Sequence, residues 1–124
     1  MMNGLDIYSS IGTFSEVLGA SGHRQIQMLF TNLLTRINQA SLAIDDNNIV
    51  KKCASISAAN DIVIYLRECL NFSADKTLAT RLDRIYAHLE KQLFAANASN
   101  NKPALENCKE IINNLKTWWD KLDE

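Results

Sequence analysis

The sequence predicts an all-α fold, an antiparallel up-and-down four-helix bundle preceded by an N-terminal arm or short extra helix. Three observations lead there. Apolar residues recur at steps of three and four through four long stretches. Short polar links separate those stretches, as expected for antiparallel neighbours. Helix breakers are scarce, with one Pro and four Gly in 124 residues and no Gly beyond Gly22. That length supports one domain with a real core and not two, divided here into an arm over residues 1–20 and a bundle over residues 21–124.

The arm carries Leu5, Tyr8, Ile11, Phe14, Val17 and Leu18, while Gly4, Gly12 and Gly19 interrupt any sustained helix. A segment with such bulky side chains covers an apolar surface or waits to be displaced from one. Ser21 then serves as N-cap for a first helix running to about Asp45. Its stripe is Ile26, Leu29, Phe30, Leu33, Leu34, Ile37, Ala40 and Ile44. Asp45-Asp46-Asn47-Asn48 forms a polar connection, and either Asn is suited to start the next helix.

The second helix, about Ile49 to Asn71, has an apolar arc wider than one core needs. Ile56, Ala59, Val63, Leu66 and Leu70 form one stripe, and Ala54, Ala58, Ile62, Tyr65 and Cys69 form another. Either the helix is central, or its second stripe floors a groove for another chain. Ser73 to Lys76 makes the next turn. The third helix, Thr77 to Asn97, is organised by Leu78, Leu82, Ile85, Leu89, Leu93 and Ala96, with Tyr86 at the stripe's edge and Phe94 on its far side. Residues 98–102 connect it to a fourth helix, with Pro103 tolerated in the first turn. There Leu105, Cys108, Ile112, Leu115, Trp119 and Leu122 form the stripe, flanked by Ile111 and Trp118.

Composition and motifs exclude more than they identify. A formal net charge of −1 offers no basic surplus for phosphate-driven nucleic-acid binding. No apolar run of about 18 residues predicts a membrane span, and MMNGLDIYSS lacks the basic flank and apolar segment of a secretory signal. Cys53, Cys69 and Cys108 are odd in number and widely spaced, which fits packed thiols in a reducing cytoplasm rather than a disulfide framework. None of Glu16, Glu68, Glu90, Glu106 and Glu110 has a His three residues on, as a di-metal carboxylate bundle would require. The polar turn at Asp45 lacks the alternating ligands and Gly of a calcium loop. Neither a Gly-rich phosphate loop nor a nucleophile elbow is present. The expectation is a protein without cofactor, metal or enzymatic activity.

His23, in a first helical turn, is expected to be solvated, and the two Trp to sit in the core and at its edge. His88 has one chemical alternative. Ala87-His88-Leu89-Glu90-Lys91 is similar to histidine phosphotransfer domains, which present an exposed imidazole, although Gln92 stands where that family has Gly. A scaffold bundle for another partner is a further alternative. Beside these stands the surplus apolar surface, which marks a partner site unless arm and groove simply cover each other.

Several segments resemble the flagellar export chaperones that hold flagellin, the FliS family. Tyr8, Val17, Ala20-Ser21 and Gln27-Met28-Leu29-Phe30 resemble its arm Tyr, its Val, and the Ala-Ser-Pro before a helix reading Leu-x-x-Met-Leu-Tyr. Ser57-Ala58-Ala59-Asn60-Asp61-Ile62-Val63-Ile64-Tyr65-Leu66 is similar to the family's second helix, and Leu70-Asn71-Phe72 to its close. Leu82-Asp83-Arg84-Ile85-Tyr86, Ala95-Ala96-Asn97, Leu105-Glu106 and Trp119-Asp120 continue the likeness almost to the end. Gly22 near the family's Pro, Phe30 for its Tyr, Arg81 for its Asn and Ser73-Ala74-Asp75-Lys76 for its Gly-Gly turn mark a divergent member.

The resemblance implies a cytoplasmic chaperone for the disordered C-terminal segment of flagellin. That segment would fold as helices in apolar grooves, hiding a polymerising surface until export. It also implies that the arm occupies part of the same site, and that the flagellar export apparatus is a further partner. The expected cargo contacts are Tyr8, Ile62, Tyr65, Leu82, Tyr86 and Leu89. Periodicity alone does not divide these between core and groove.

Overall fold

A computed structural model describes Ile7, Tyr8 and residues 22–122. The remaining arm positions discussed above, and the N-cap candidate Ser21, lie outside the described residues. Helix α1 spans Gly22–Asp45, α2 Ile49–Glu68, α3 Lys76–Ser99 and α4 Lys102–Asp120, and no strand occurs among the described residues. Ile7 and Tyr8 lie in a single tight helical turn.

The helix ends follow from local chemistry. At the close of α1 the amides of Asp46 and Asn48 return to the carbonyls of Leu42 and Ala43, at 3.0 and 2.9 Å. Asn47 makes this possible by adopting a left-handed backbone (φ 55°), a conformation Asn tolerates better than most residues. Asn48 then caps α2, its side chain accepting from the Lys51 amide at 3.0 Å. Asp75 caps α3 through the Leu78 amide, and Asn101 caps α4 through the Ala104 amide. Pro103 lies in the first turn of α4, where a missing N–H leaves no bond unmade.

Helix α2 stops at Glu68, three residues before the predicted end. The reason lies outside the helix. Asn71 gives its amide hydrogen to the carbonyl of Ile7 at 2.9 Å, so that donor serves the arm instead of another helical turn.

Each helix packs on two neighbours, α1 on α2 and α4, and α3 on α2 and α4. Side-chain links fix the directions. Lys52, early in α2, reaches Asn97 and Asn100 at the end of α3, while Arg67, late in α2, reaches Asp83 early in α3. Gln27 near the start of α1 bonds Asp120 at the end of α4, and Asp45 pairs with Lys102 at the opposite end. Both pairs are therefore antiparallel, and the bundle runs up and down.

The core is the union of the four stripes. Ile26, Phe30, Leu33 and Ile37 from α1 meet Ile56, Val63 and Leu66 from α2, Leu82, Leu89 and Leu93 from α3, and Leu105, Ile112 and Trp119 from α4. Ile7 and Tyr8 belong to the same buried cluster.

Candidate functional site

The arm turn is seated at one end of the bundle. Tyr8 is wholly buried, and its hydroxyl is hydrogen-bonded to the hydroxyl of Tyr86. Its ring meets the edge of Trp119 with centroids 5.5 Å apart, a favoured aromatic geometry. Burial raises the Tyr8 phenol well above its usual range, the bond to Tyr86 opposes this, and nearby Cys69 adds to it. Tyr86 is raised as well, chiefly by burial and then by Tyr8. Both rings are thus neutral hydrogen-bonding groups at any ordinary pH.

Trp119 holds this end together. Its indole Nε1 donates to the carbonyl of His23 at 2.8 Å, and His23 Nε2 lies 2.8 Å from the carbonyl of Trp119, which makes the nitrogen the donor. The rings stack at 5.0 Å. His23 is therefore buried, contrary to the expectation of a solvated first-turn residue. The correction has a simple cause: Trp119 supplies both a stacking face and a carbonyl, which compensate the ring for lost water.

A half-open apolar strip leads away from the Tyr8 seat along the outside of α2. Cys69, buried next to the seat, lies within hydrogen-bond reach of Tyr65; burial raises its thiol above the ordinary value and that bond pulls it back. Tyr65 keeps 36% of its surface in solvent. Ile62 and Ala58, one and two turns earlier, are half-buried, and Ala54 is exposed. Ile62 rests against the core without entering it. This is the second stripe anticipated for α2, and it is continuous with the place where the arm docks.

The six expected contact residues thus fall into two groups. Ile62 and Tyr65 present surface now. Tyr8, Leu82, Tyr86 and Leu89 are sealed in the interior, with Leu82 and Leu89 on the turns flanking Tyr86. A three-four spacing is common to both fates, because it marks the face a helix hides and not what hides it. Tyr8 covers Tyr86 through their paired hydroxyls, whereas Leu82 and Leu89 belong to the core between the helices.

The other flank of α2 is polar and clasped. Arg67 donates from Nε to Asp83 Oδ1 at 2.6 Å and from Nη1 to Glu90 Oε2 at 2.8 Å, holding α3 against α2. The two carboxylates raise the guanidinium above its already high value. Lys52 is the less expected feature. Its Nζ donates to the Asn97 carbonyl at 3.0 Å and to Asn100 Oδ1 at 2.6 Å, and only 8% of the residue remains exposed. A cation there satisfies the Asn97 carbonyl in the last turn of α3 and the side-chain oxygen of its C-cap Asn100, and it complements the negative end of the helix dipole. Sequence did carry a signal, since Lys52 occupies the apolar register of Ile56, Ala59 and Val63.

The cysteines divide. Cys69 and Cys108 are buried, and desolvation pushes the Cys108 thiol up to about 12. Cys53, expected to pack inside, is exposed, its thiol 3.5 Å from Asn97 Oδ1. It lies on the flank of α2 that faces the polar edge of α3, at Asn97, outside the core. His88 is exposed and donates from Nε2 to Asn107 Oδ1 at 2.9 Å. Among the described residues, no cluster of His, Cys, Asp and Glu is arranged to hold a metal, and no helix is long and apolar enough to cross a membrane.

The described residues thus form a four-helix bundle with an aromatic plug at one end and an apolar strip running from it. Comparison with known proteins gives the class a name. The model of the flagellar protein FliS matches residues 5–124, and the chain belongs to that family. It is 32% identical over 122 residues to the flagellar secretion chaperone FliS of Vibrio cholerae, covering 98% of this chain and 90% of that one. It is also 32% identical over 119 residues to the flagellar secretion chaperone FliSB of Pseudomonas aeruginosa, covering 96% and 94%. The Escherichia coli flagellar secretion chaperone FliS is 32% identical over 117 residues, covering 94% and 86%.

Proposed function

We propose that this protein is a cytoplasmic, non-enzymatic flagellar export chaperone that binds the disordered C-terminal segment of flagellin. Family membership supports the chaperone role. The observation that carries the binding mode is the continuity of the α2 strip, from Ala54 through Ala58, Ile62 and Tyr65, with the buried seat of Tyr8 beyond Cys69. A segment folding as a helix along this strip buries apolar side chains at three-four spacing. Where it reaches the seat it competes with Ile7 and Tyr8, opening Tyr86 and the turns beside it to contact.

The energetic logic fits a chaperone that must release its cargo. Ordering a disordered segment is costly, so a long apolar contact has to compensate. Returning Ile7 and Tyr8 to the seat recovers part of that burial and favours release. Covering flagellin's assembling surface in this way keeps it from polymerising before export, and the export apparatus is the natural recipient of the complex.

The test is a calorimetric titration of the full chain with a peptide of the flagellin C-terminal segment, wild type beside Tyr65→Asp. Micromolar or tighter binding by wild type, weakened at least about tenfold in Tyr65→Asp, is expected because a carboxylate desolvated in an apolar contact is strongly penalised. No heat and no retention with the wild type would remove the flagellin assignment. Equal binding by both would move the site off the α2 strip.

A further inference from the structure

A second apolar cleft lies on the far flank of α3 from the Arg67 clasp, between α3 and α4. Ile85 from α3 and Ile111 and Leu115 from α4 form its floor, with Arg84, His88 and Asn114 at the rim. The space is about 460 Å³, within the range of sites that accommodate ligands. At one end His88 and Gln92 both donate to Asn107 Oδ1 at 2.9 Å, tying α3 to α4 and closing the cleft there.

Its charge is one-sided. No carboxylate lines it. The acids of the neighbouring α3 surface, Asp83 and Glu90, are turned the other way and occupied by Arg67. The acids of α4 nearest in sequence, Glu106 and Glu110, line a different outer face with Pro103 and Asn113. Arg84 and, one turn earlier on the same side of α3, Arg81 have no ionic partner among the described residues. Helix α3 therefore sorts its charges, acids toward α2 and unspent bases toward α4. In a chain whose formal net charge is −1, that concentration of positive charge beside an apolar floor is local and specific.

We propose that this cleft docks a short acidic amphipathic helix of a second protein. Leucine-sized side chains spaced one turn apart sit over Ile85, Ile111 and Leu115. Carboxylates on the flanks of that helix meet Arg84 and Arg81. Complementary rim charge sets the orientation and encounter rate, and the apolar floor supplies the contact. The cleft is separated from the α2 strip by the breadth of α3, so both surfaces are available to be occupied together.

Two synthetic peptides test this with the full chain. One is a helix with Leu at positions i, i+4 and i+7 and Glu along both flanks; the other has Lys in place of each Glu. Each is titrated into isotope-labelled protein and followed by backbone amide NMR. The Glu peptide should shift Ile85, His88, Ile111 and Leu115, leave Ala58 and Ile62 in place, and bind at least about tenfold more tightly than the Lys peptide at low salt. Added salt should narrow that gap. Arg84→Glu combined with Arg81→Glu, both exposed changes, should reverse the preference while the flagellin peptide still binds α2, which separates this proposal from the chaperone reading.

Four results would overturn it. They are equal binding of the two peptides, shifts confined to the α2 strip, indifference to the Arg84→Glu and Arg81→Glu pair, and displacement of the Glu peptide by flagellin or by a second copy of the chain.

Discussion

The Trp119 end of the bundle and the outer side of α2 carry similar side chains and have different fates. At the first, Tyr8, Tyr86, Phe30 and Trp119 are enclosed. Every polar atom of Trp119 and of the two phenols has a partner, and His23 is held by the same tryptophan. At the second, Ile62 and Tyr65 lie on the bundle with part of their surface still in water. Aromatic and aliphatic content does not distinguish the regions. What does is the number of neighbouring elements: the arm, α1, α3 and α4 converge on one end, whereas nothing among the described residues crosses the outer side of α2. An apolar face without a covering element is where another chain gains most by binding.

The largest break in this comparison should come from Trp119→Ala. It removes a fully buried ring together with the partner of His23 and the edge contact of Tyr8, so a loss of about 3–5 kcal/mol is expected in denaturant unfolding. A change below about 1 kcal/mol would mean that this end is not the sealed core described.

Lys52→Ala should cost about 1–3 kcal/mol, because the Asn97 carbonyl and the Asn100 side chain lose a buried cationic donor. Hydrogen exchange should accelerate first in the final turn of α3. Loss of stability without that local signature would locate the role of Lys52 elsewhere.

Tyr8→Phe keeps the ring and removes the hydroxyl, leaving Tyr86 without its partner, for an expected cost of about 1–3 kcal/mol. The variant also sharpens a pH prediction. Burial holds the phenols of Tyr8 and Tyr86 above their ordinary value of 10.0, so the folded state keeps protons that the unfolded chain gives up. Their contribution is intact below that value and declines as pH rises beyond it. Cys108, with an ordinary value of 9.0 and a buried one of about 12, adds a loss across that interval. Unfolding stability measured through the alkaline range should therefore fall, and fall less steeply in Tyr8→Phe. Identical slopes would contradict the buried hydroxyl pair.

The smallest stability effect belongs to the open region. Tyr65→Asp, on the half-covered strip, should change unfolding stability by no more than about 0.5 kcal/mol. A core-like loss there would show that the strip is part of the interior and not a surface held for a partner.

Much of the architecture was legible because helical period and breaker scarcity act through local physics. The four helices, their short links and Pro103 in a first turn all follow from spacing and backbone chemistry. The division of site residues was less legible. Leu82 and Leu89 share a register with Ile85, yet the first two are sealed and the third forms part of the floor of an open cleft. Only the placement of neighbouring helices decides that. His23 and the early end of α2 were hidden for the same reason: each depends on a residue remote in sequence, Trp119 in one case and Ile7 in the other. The second stripe of α2 was readable because an arc too wide for one interface is an excess that composition itself displays.

The most direct test of the central claim is backbone amide NMR of the labelled protein as the flagellin C-terminal peptide is added. The account predicts shifts along Ala54, Ala58, Ile62 and Tyr65, accompanied by a change at the Asn71 amide as its bond to the Ile7 carbonyl is given up. Saturating peptide that leaves the α2 strip and Asn71 unmoved would contradict it.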